Sequence, residues 1–233
     1  QIIKRVNMKN NQLIPGEPLR EGVDLIADKK TGALIVVGSS AKLDKISSGG
    51  INLSNCKFTP EMLCELAKMD GAIIVDENVD KILKANVHLN PSDSIETSQT
   101  GTRHRTAQRV SVETELDVIA VSDESGIIKV FSNNEVNELE ESSMILGRVN
   151  ESLQSIDRTR RRFDDAVIEL GELEIENSIT NQQVLEVVQR GELLERLSEQ
   201  VRKEAENLGE DSGLVMIQIE SCLLYTSDAA DES

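Results

Sequence analysis

The sequence predicts an α/β domain over residues 1–140, a mixed β-sheet flanked by helices, followed by an all-α helical linker or stalk domain over residues 141–221. Three observations carry that prediction. In the first part, short apolar runs of strand length alternate with amphipathic stretches. After residue 140 the apolar positions change to a three-four spacing that persists through two long segments. The composition is globular, with 38% hydrophobic and 29% charged residues, and with 2% aromatics and no Trp it predicts an aliphatic core.

In chain order, Pro18 to Asp28 places Leu19, Val23 and Ile26 on one helical face. Thr31-Gly32 ends that helix, and the uninterrupted apolar run Ala33–Val37 reads as a buried strand. Thr59-Pro60-Glu61 is a helix start, because a Thr hydroxyl can accept from a free N–H of the first turn and Pro suits the first helical position. Met62, Leu63, Leu66 and Met69 are its expected inward face, and the helix runs into Asp70-Gly71 and the strand Ala72–Val75. Strands are expected at Ile82–Leu89, Val118–Ser122 and Ile127–Phe131, with a helix over Arg103–Val112 between them. In the second part Leu146, Val149, Leu153, Ile156, Phe163, Val167 and Leu170 form one apolar stripe, interrupted at Arg160. Val184, Val187, Leu194, Leu197, Val201 and Leu208 form another, and Thr180 with Gln183 is a capping-box signature between them. A long helical hairpin is the expected result.

Several classes of function fall away. No apolar run approaches the roughly 18 residues that a membrane span requires, so no membrane contact is expected. Cys56, Cys64 and Cys222 are too few and too irregularly spaced for a disulfide framework or a zinc knuckle, which predicts a reducing, cytoplasmic setting. The formal charge is −17, with 16 basic and 21 acidic residues in 1–140 and 9 and 18 in 141–221. Broad contact with a nucleic-acid backbone draws on clustered cations, so any nucleotide contact is expected to be local. The chain opens with Gln1 rather than Met, and its true start is expected upstream. The segment from Cys222 to Glu232 resembles a translated sequencing-library adapter. Residues 222–233 are therefore set aside, with the natural protein expected to continue beyond Ser221.

Two segments could carry chemistry. At Asp70-Gly71-Ala72 a helix ends and a buried strand begins; a carboxylate there can ligate a divalent cation or take a hydroxyl proton, although Asp-Gly is also a common turn dipeptide. Gly101-Thr102-Arg103-His104-Arg105-Thr106 opens a helix, where free N–H groups attract anions and Arg side chains fork onto phosphate oxygens. Cationic side chains at a helix N-terminus oppose the helix dipole, so a phosphate site is favoured there over a solvated cluster. His88 reads as a packed or surface histidine, and Arg158–Arg162 as a solvated helix face. Gly32, Gly38, Gly49 and Gly50 give no phosphate-loop or dinucleotide fingerprint, and no Ser-His-Asp system is recognisable.

Met69-Asp70-Gly71-Ala72 followed by Gly101-Thr102-Arg103-His104-Arg105 resembles the paired DGA and RHR motifs of the diadenylate cyclase family. Thr31–Val36, Ala85–Leu89 and the helical region after residue 140 are similar to the DNA-integrity-scanning branch of that family. The resemblance implies synthesis of cyclic di-AMP from two ATP molecules with release of two pyrophosphates, by cyclase heads meeting face to face in a homo-octamer. It implies that Asp70 binds the metal, Mg²⁺ or Mn²⁺, and activates the 3′-hydroxyl, with Arg103, His104 and Arg105 as its catalytic companions. ATP contacts are implied at Gly71, Leu89, Thr102, Arg103, His104, Arg105, Thr106 and Ser122. DNA is expected to be a partner only through a C-terminal domain absent from this sequence. The other readings are a catalytically silent nucleotide-binding sensor or scaffold, which would be expected to lose Asp70, and a coiled-coil assembly module.

Overall fold

The computed structural model describes residues 12–132, 134–205, 215–217 and 219–220. The chain divides after Glu141 into two compact units. The first holds α1 (Pro18–Asp28), β1 (Ala33–Val37), α2 (Ala41–Ile46), β2 (Ser47–Ser48), β3 (Ile51–Lys57), α3 (Pro60–Leu66), β4 (Ala72–Val75), β5 (Lys81–Leu89), α4 (Thr102–Thr114), β6 (Asp117–Val121), β7 (Ile128–Ser132) and β8 (Glu135–Leu139). The second holds α5 (Ser142–Ile175) and α6 (Asn181–Ala205).

The strand order is β2-β5-β4-β1-β6-β7-β8, with β3 pairing β5 as well. β1 and β4 run parallel, and the other pairs are antiparallel. Both faces are covered. Ala33, Ile35 and Val37 of β1 face one core with Leu19, Val23 and Ile26 of α1 and Leu63 of α3, while Leu34 and Val36 face another with Ala107 and Val110 of α4 and Leu43 of α2. This two-residue alternation between two buried faces explains why the strand reads as an unbroken apolar run. Each large aliphatic side chain fully removed from water here stabilises the fold by about 1.5–3 kcal/mol.

Helix starts follow local chemistry. Thr59 Oγ1 accepts from Met62 N at 3.2 Å, with Pro60 in the first turn of α3. Leu63, Cys64 and Leu66 are buried, but Met62 and Met69, expected inward, are 41% and 38% exposed. The Thr59 cap fixes the phase of this short helix so that Leu63 faces the core; Met62 is rotated by a helical step and Met69 lies beyond the helix end. The buried Arg20 ties three segments together, donating to Asp24, to Leu13 O and to Glu140 O.

In the second unit, Gln183 Oε1 accepts from Thr180 N at 2.9 Å, the expected half of a capping box. Val149, Ile156, Leu194 and Val201 are buried, joined by Val215 and Ile219. Val167 and Val184 differ from expectation: they are 42% and 41% exposed. Two helices alone bury only a narrow seam, and the described apolar cluster draws on 145–163 of α5, 194–205 of α6 and Val215, Met216 and Ile219. Leu208, Cys222 and the set-aside tail 222–233 lie outside the described residues. Among those described, no helix is long and apolar enough to cross a membrane.

Candidate active site

One end of the sheet carries a cavity of about 760 Å³. Five strands reach it: β1 and β4 at their starts (Gly32 to Leu34; Gly71, Ala72), β5 and β6 at their ends (Val87 to Leu89; Ser122), and β7 at its start (Ile127, Lys129). The first turn of α4 closes another side. Ala67, Met69, Ala72, Val87 and Leu89 supply apolar surface; Thr102, Arg103, His104, Ser122 and Lys129 supply polar and cationic groups, and Asp70, Asp123 and Glu124 supply carboxylates. A flat apolar ring bearing a polyphosphate matches that division.

Asp70 lies at the cavity with an exposed carboxylate that no other described residue engages. Gly71 N donates to Met69 O at 3.0 Å, turning the chain around Asp70. Gly71 is glycine for a reason the sequence did not reveal: a Cβ there would lie 2.7 Å from the Asn86 backbone. Asn86 has a left-handed φ of 54° in a bulge, since Ala72 faces Val87 whereas Ile74 faces Lys84. The turn is thus seated on β5.

α4 begins after Gly101, whose φ of 84° only glycine tolerates readily. Arg105 N bonds to Gly101 O at 3.1 Å, so the N–H groups of Thr102, Arg103 and His104 precede the first intrahelical bond. Helical rotation then distributes the three consecutive cationic side chains. Arg103 lines the cavity, its Nη1 3.4 Å from Asp123 Oδ1, and its guanidinium occupies the space beside Gly32. His104 lines it too, edge-on to Phe131 with centroids 6.4 Å apart. Arg105 is exposed and does not line it, because 100° per residue carries it off the face that Arg103 and Thr106 share. Thr106 does line it, but its hydroxyl donates to Thr102 O at 3.0 Å and so presents only lone pairs. Ser122 Oγ accepts from Ser125 N at 3.2 Å, leaving its own proton available.

His104 Nε2 is buried and, among the described residues, has no hydrogen-bond partner. Burial, then the cations of Lys129 and Arg103, hold this imidazole below its ordinary pKa, with Asp123 pulling the other way. The expected residues Asp70, Gly71, Leu89, Thr102, Arg103, His104, Thr106 and Ser122 therefore line one cavity, and Arg105 stands apart. Sequence reasoning passed over Gly32, Asp123 and Lys129 as site residues. Gly32 read as a helix breaker outside any phosphate-loop or dinucleotide fingerprint, and Asp123 and Lys129 lie in no motif. His88, read as a packed or surface histidine, is exposed and also lines the cavity.

A metal has few protein donors here. Among the described residues no group of three or more His, Cys, Asp or Glu could hold a metal ion. The Asp70 carboxylate fits a Mg²⁺-like ion of the kind held by one carboxylate together with substrate phosphates.

A cavity with an apolar wall and a polar wall of mixed charge, at the end of a mixed sheet, defines an α/β domain suited to a nucleotide-like ligand. Comparison with known proteins gives the family. The family model for "DisA bacterial checkpoint controller nucleotide-binding" matches residues 20–136, and that for "DisA bacterial checkpoint controller linker region" matches residues 139–231. The chain belongs to the DisA bacterial checkpoint controller family. It is 44% identical over 208 residues to the DNA integrity scanning protein DisA of Kineococcus radiotolerans, covering 89% of this chain and 58% of that protein. It is 36% identical over 225 residues to the protein of the same name from Carboxydothermus hydrogenoformans, covering 97% and 64%. The chain thus spans less than two thirds of the length of these relatives. Among solved structures, a double mutant of DacA from Staphylococcus aureus is 29% identical, covering 53% of this chain and 85% of that one, with a TM-score of 0.44.

Proposed function

We propose that this chain is a diadenylate cyclase, a nucleotidyltransferase that condenses two ATP molecules into cyclic di-AMP and releases two pyrophosphates. The observation that carries the reading is the convergence of the Asp70 carboxylate and the N-terminal turn of α4 on one partly apolar cavity. Adenine would take the apolar wall at Val87 and Leu89. The N–H groups of Thr102 to His104, the Arg103 guanidinium and the Ser122 hydroxyl would hold phosphate oxygens.

One cavity of this size takes one nucleotide, so cyclisation needs a second copy facing the first about a two-fold axis. Each 3′-oxygen then attacks the other nucleotide's α-phosphorus in line; a P–O bond to that phosphorus forms as the bond to pyrophosphate breaks, twice per product. Asp70 is suited to accept the 3′-hydroxyl proton. Asp70 would also hold Mg²⁺ or Mn²⁺ together with phosphate oxygens, and the bound cation would offset negative charge on the departing pyrophosphate. Octameric assembly, and DNA contact through a further domain, would belong to the longer protein that the relatives represent.

The test is direct. Incubating the chain with ATP and Mn²⁺ and separating the nucleotides by chromatography should yield cyclic di-AMP. ATP bound but unconverted would make the protein a silent nucleotide sensor, and ATP neither bound nor converted would remove the reading altogether.

A further inference from the structure

Lys129 is a cation that no motif accounts for. It sits on β7 between Ile127 and Phe131, facing the core that α4 covers. The residue opposite it on β6 is Ala120, whose small side chain leaves room above the strand. Lys129 lines the cavity with Arg103 and His104. Its Nζ donates to the neutral Gln99 Oε1 at 3.2 Å, and among the described residues it forms no ion pair. Glu138 faces it across the β7–β8 register, yet the ammonium reaches to Gln99 instead.

A half-buried ammonium paired only with an amide oxygen retains donor capacity for a stronger acceptor. The cavity also holds the carboxylates of Asp70, Asp123 and Glu124, yet Asp123 pairs with Arg103 and, among the described residues, none pairs with Lys129, so this lysine beside Arg103 and His104 gains most from an anion that enters the cavity. We propose that Lys129 is a further phosphate-contacting residue of this cavity, with the Gln99 amide holding Nζ in place until a phosphate oxygen of the nucleotide replaces it. The inference rests on the nucleotide-binding reading above and adds to it a contact from the sheet, opposite those from α4. Such a contact strengthens ground-state and transition-state binding alike, so its loss appears in KM and not in kcat.

The test compares wild type, Lys129→Met and Lys129→Arg, titrating each calorimetrically with ATP and with adenosine and recording its unfolding midpoint. The expected result is an ATP affinity about tenfold weaker in Lys129→Met, with adenosine affinity and unfolding midpoint unchanged. Lys129→Arg should stay within about threefold of wild type for ATP, because the guanidinium keeps the charge and the donors. Equal ATP affinity in wild type and Lys129→Met would overturn the assignment, as would a parallel loss of ATP and adenosine binding, which marks a packing role. Wild-type protein that binds no ATP would instead refute the nucleotide-binding reading itself, before any variant is compared.

Discussion

The guanidinium of Arg103 occupies the space that a side chain on Gly32 would need: a Cβ at residue 32 would lie 2.7 Å from Arg103 Nη1 and 2.9 Å from its Cζ. Gly32 also has a φ of 67°, so an L-residue there is strained whatever the room. Gly32→Ala should therefore cost about 1–2 kcal/mol of stability and push Arg103 off its seat. The measured outcome should be a lower unfolding midpoint together with roughly tenfold weaker ATP binding. Native-like binding would mean that Arg103 does not need this seat.

Gly71 makes a different kind of close approach, to backbone atoms that cannot rotate aside. Gly71→Ala should separate the Asp70 turn from Asn86 and destabilise the domain by about 1–3 kcal/mol, a drop of several degrees in unfolding midpoint. Calorimetry of the folded variant measures this. An unchanged midpoint would show that β5 yields easily at its bulge.

Asp70 has an exposed carboxylate at the cavity, so replacing it should not unfold anything. Asp70→Asn is expected to lower the rate of cyclic di-AMP formation by at least about 100-fold while leaving the unfolding midpoint within error. Chromatographic rates and thermal unfolding are the two measurements. Full activity would remove this carboxylate from the chemistry.

His104 gives a pH dependence of defined sign. Its folded pKa is lowered from 6.5, so the unfolded chain binds the proton more tightly. Stability is therefore intact above the unfolded value and declines as pH falls from there towards the folded one. His104→Gln should lose less stability than wild type between about pH 7.5 and 5.5, as read from unfolding midpoints. Nucleotide binding has the opposite sign, because phosphate charge near the imidazole favours its protonated form. ATP affinity should rise on acidification more steeply in wild type than in His104→Gln.

Much of the fold was legible because local chemistry and burial agree. Pro18, the Thr59-Pro60 start and the fully apolar runs of β1 and β4 each define an element without tertiary context. β3 and β8 were not foreseen. Ile51–Lys57 and Glu135–Leu139 are largely polar, because they flank the sheet and bury little, so their strand character comes from pairing with β5 and β7. α2 is only six residues long, too short to register a helical period. In the site, Asp70, Arg103 and His104 were legible as motif residues, and the structure places all three along one cavity. A helix points successive side chains in different directions, so Arg105, expected beside Arg103 and His104, does not line the cavity with them. Gly32, Asp123 and Lys129 were not legible because strand order, which no local pattern encodes, brings them to α4.

The strand order also bears on how the protein matures. The cavity draws its lining from Gly32 at the start of β1 to Lys129 on β7, so no single hairpin or isolated helix contains the whole of it. The capacity to hold a ligand should emerge only when the last of these segments docks. A fluorescent nucleotide added during refolding would consequently mark completion of the domain, lagging behind the backbone signal.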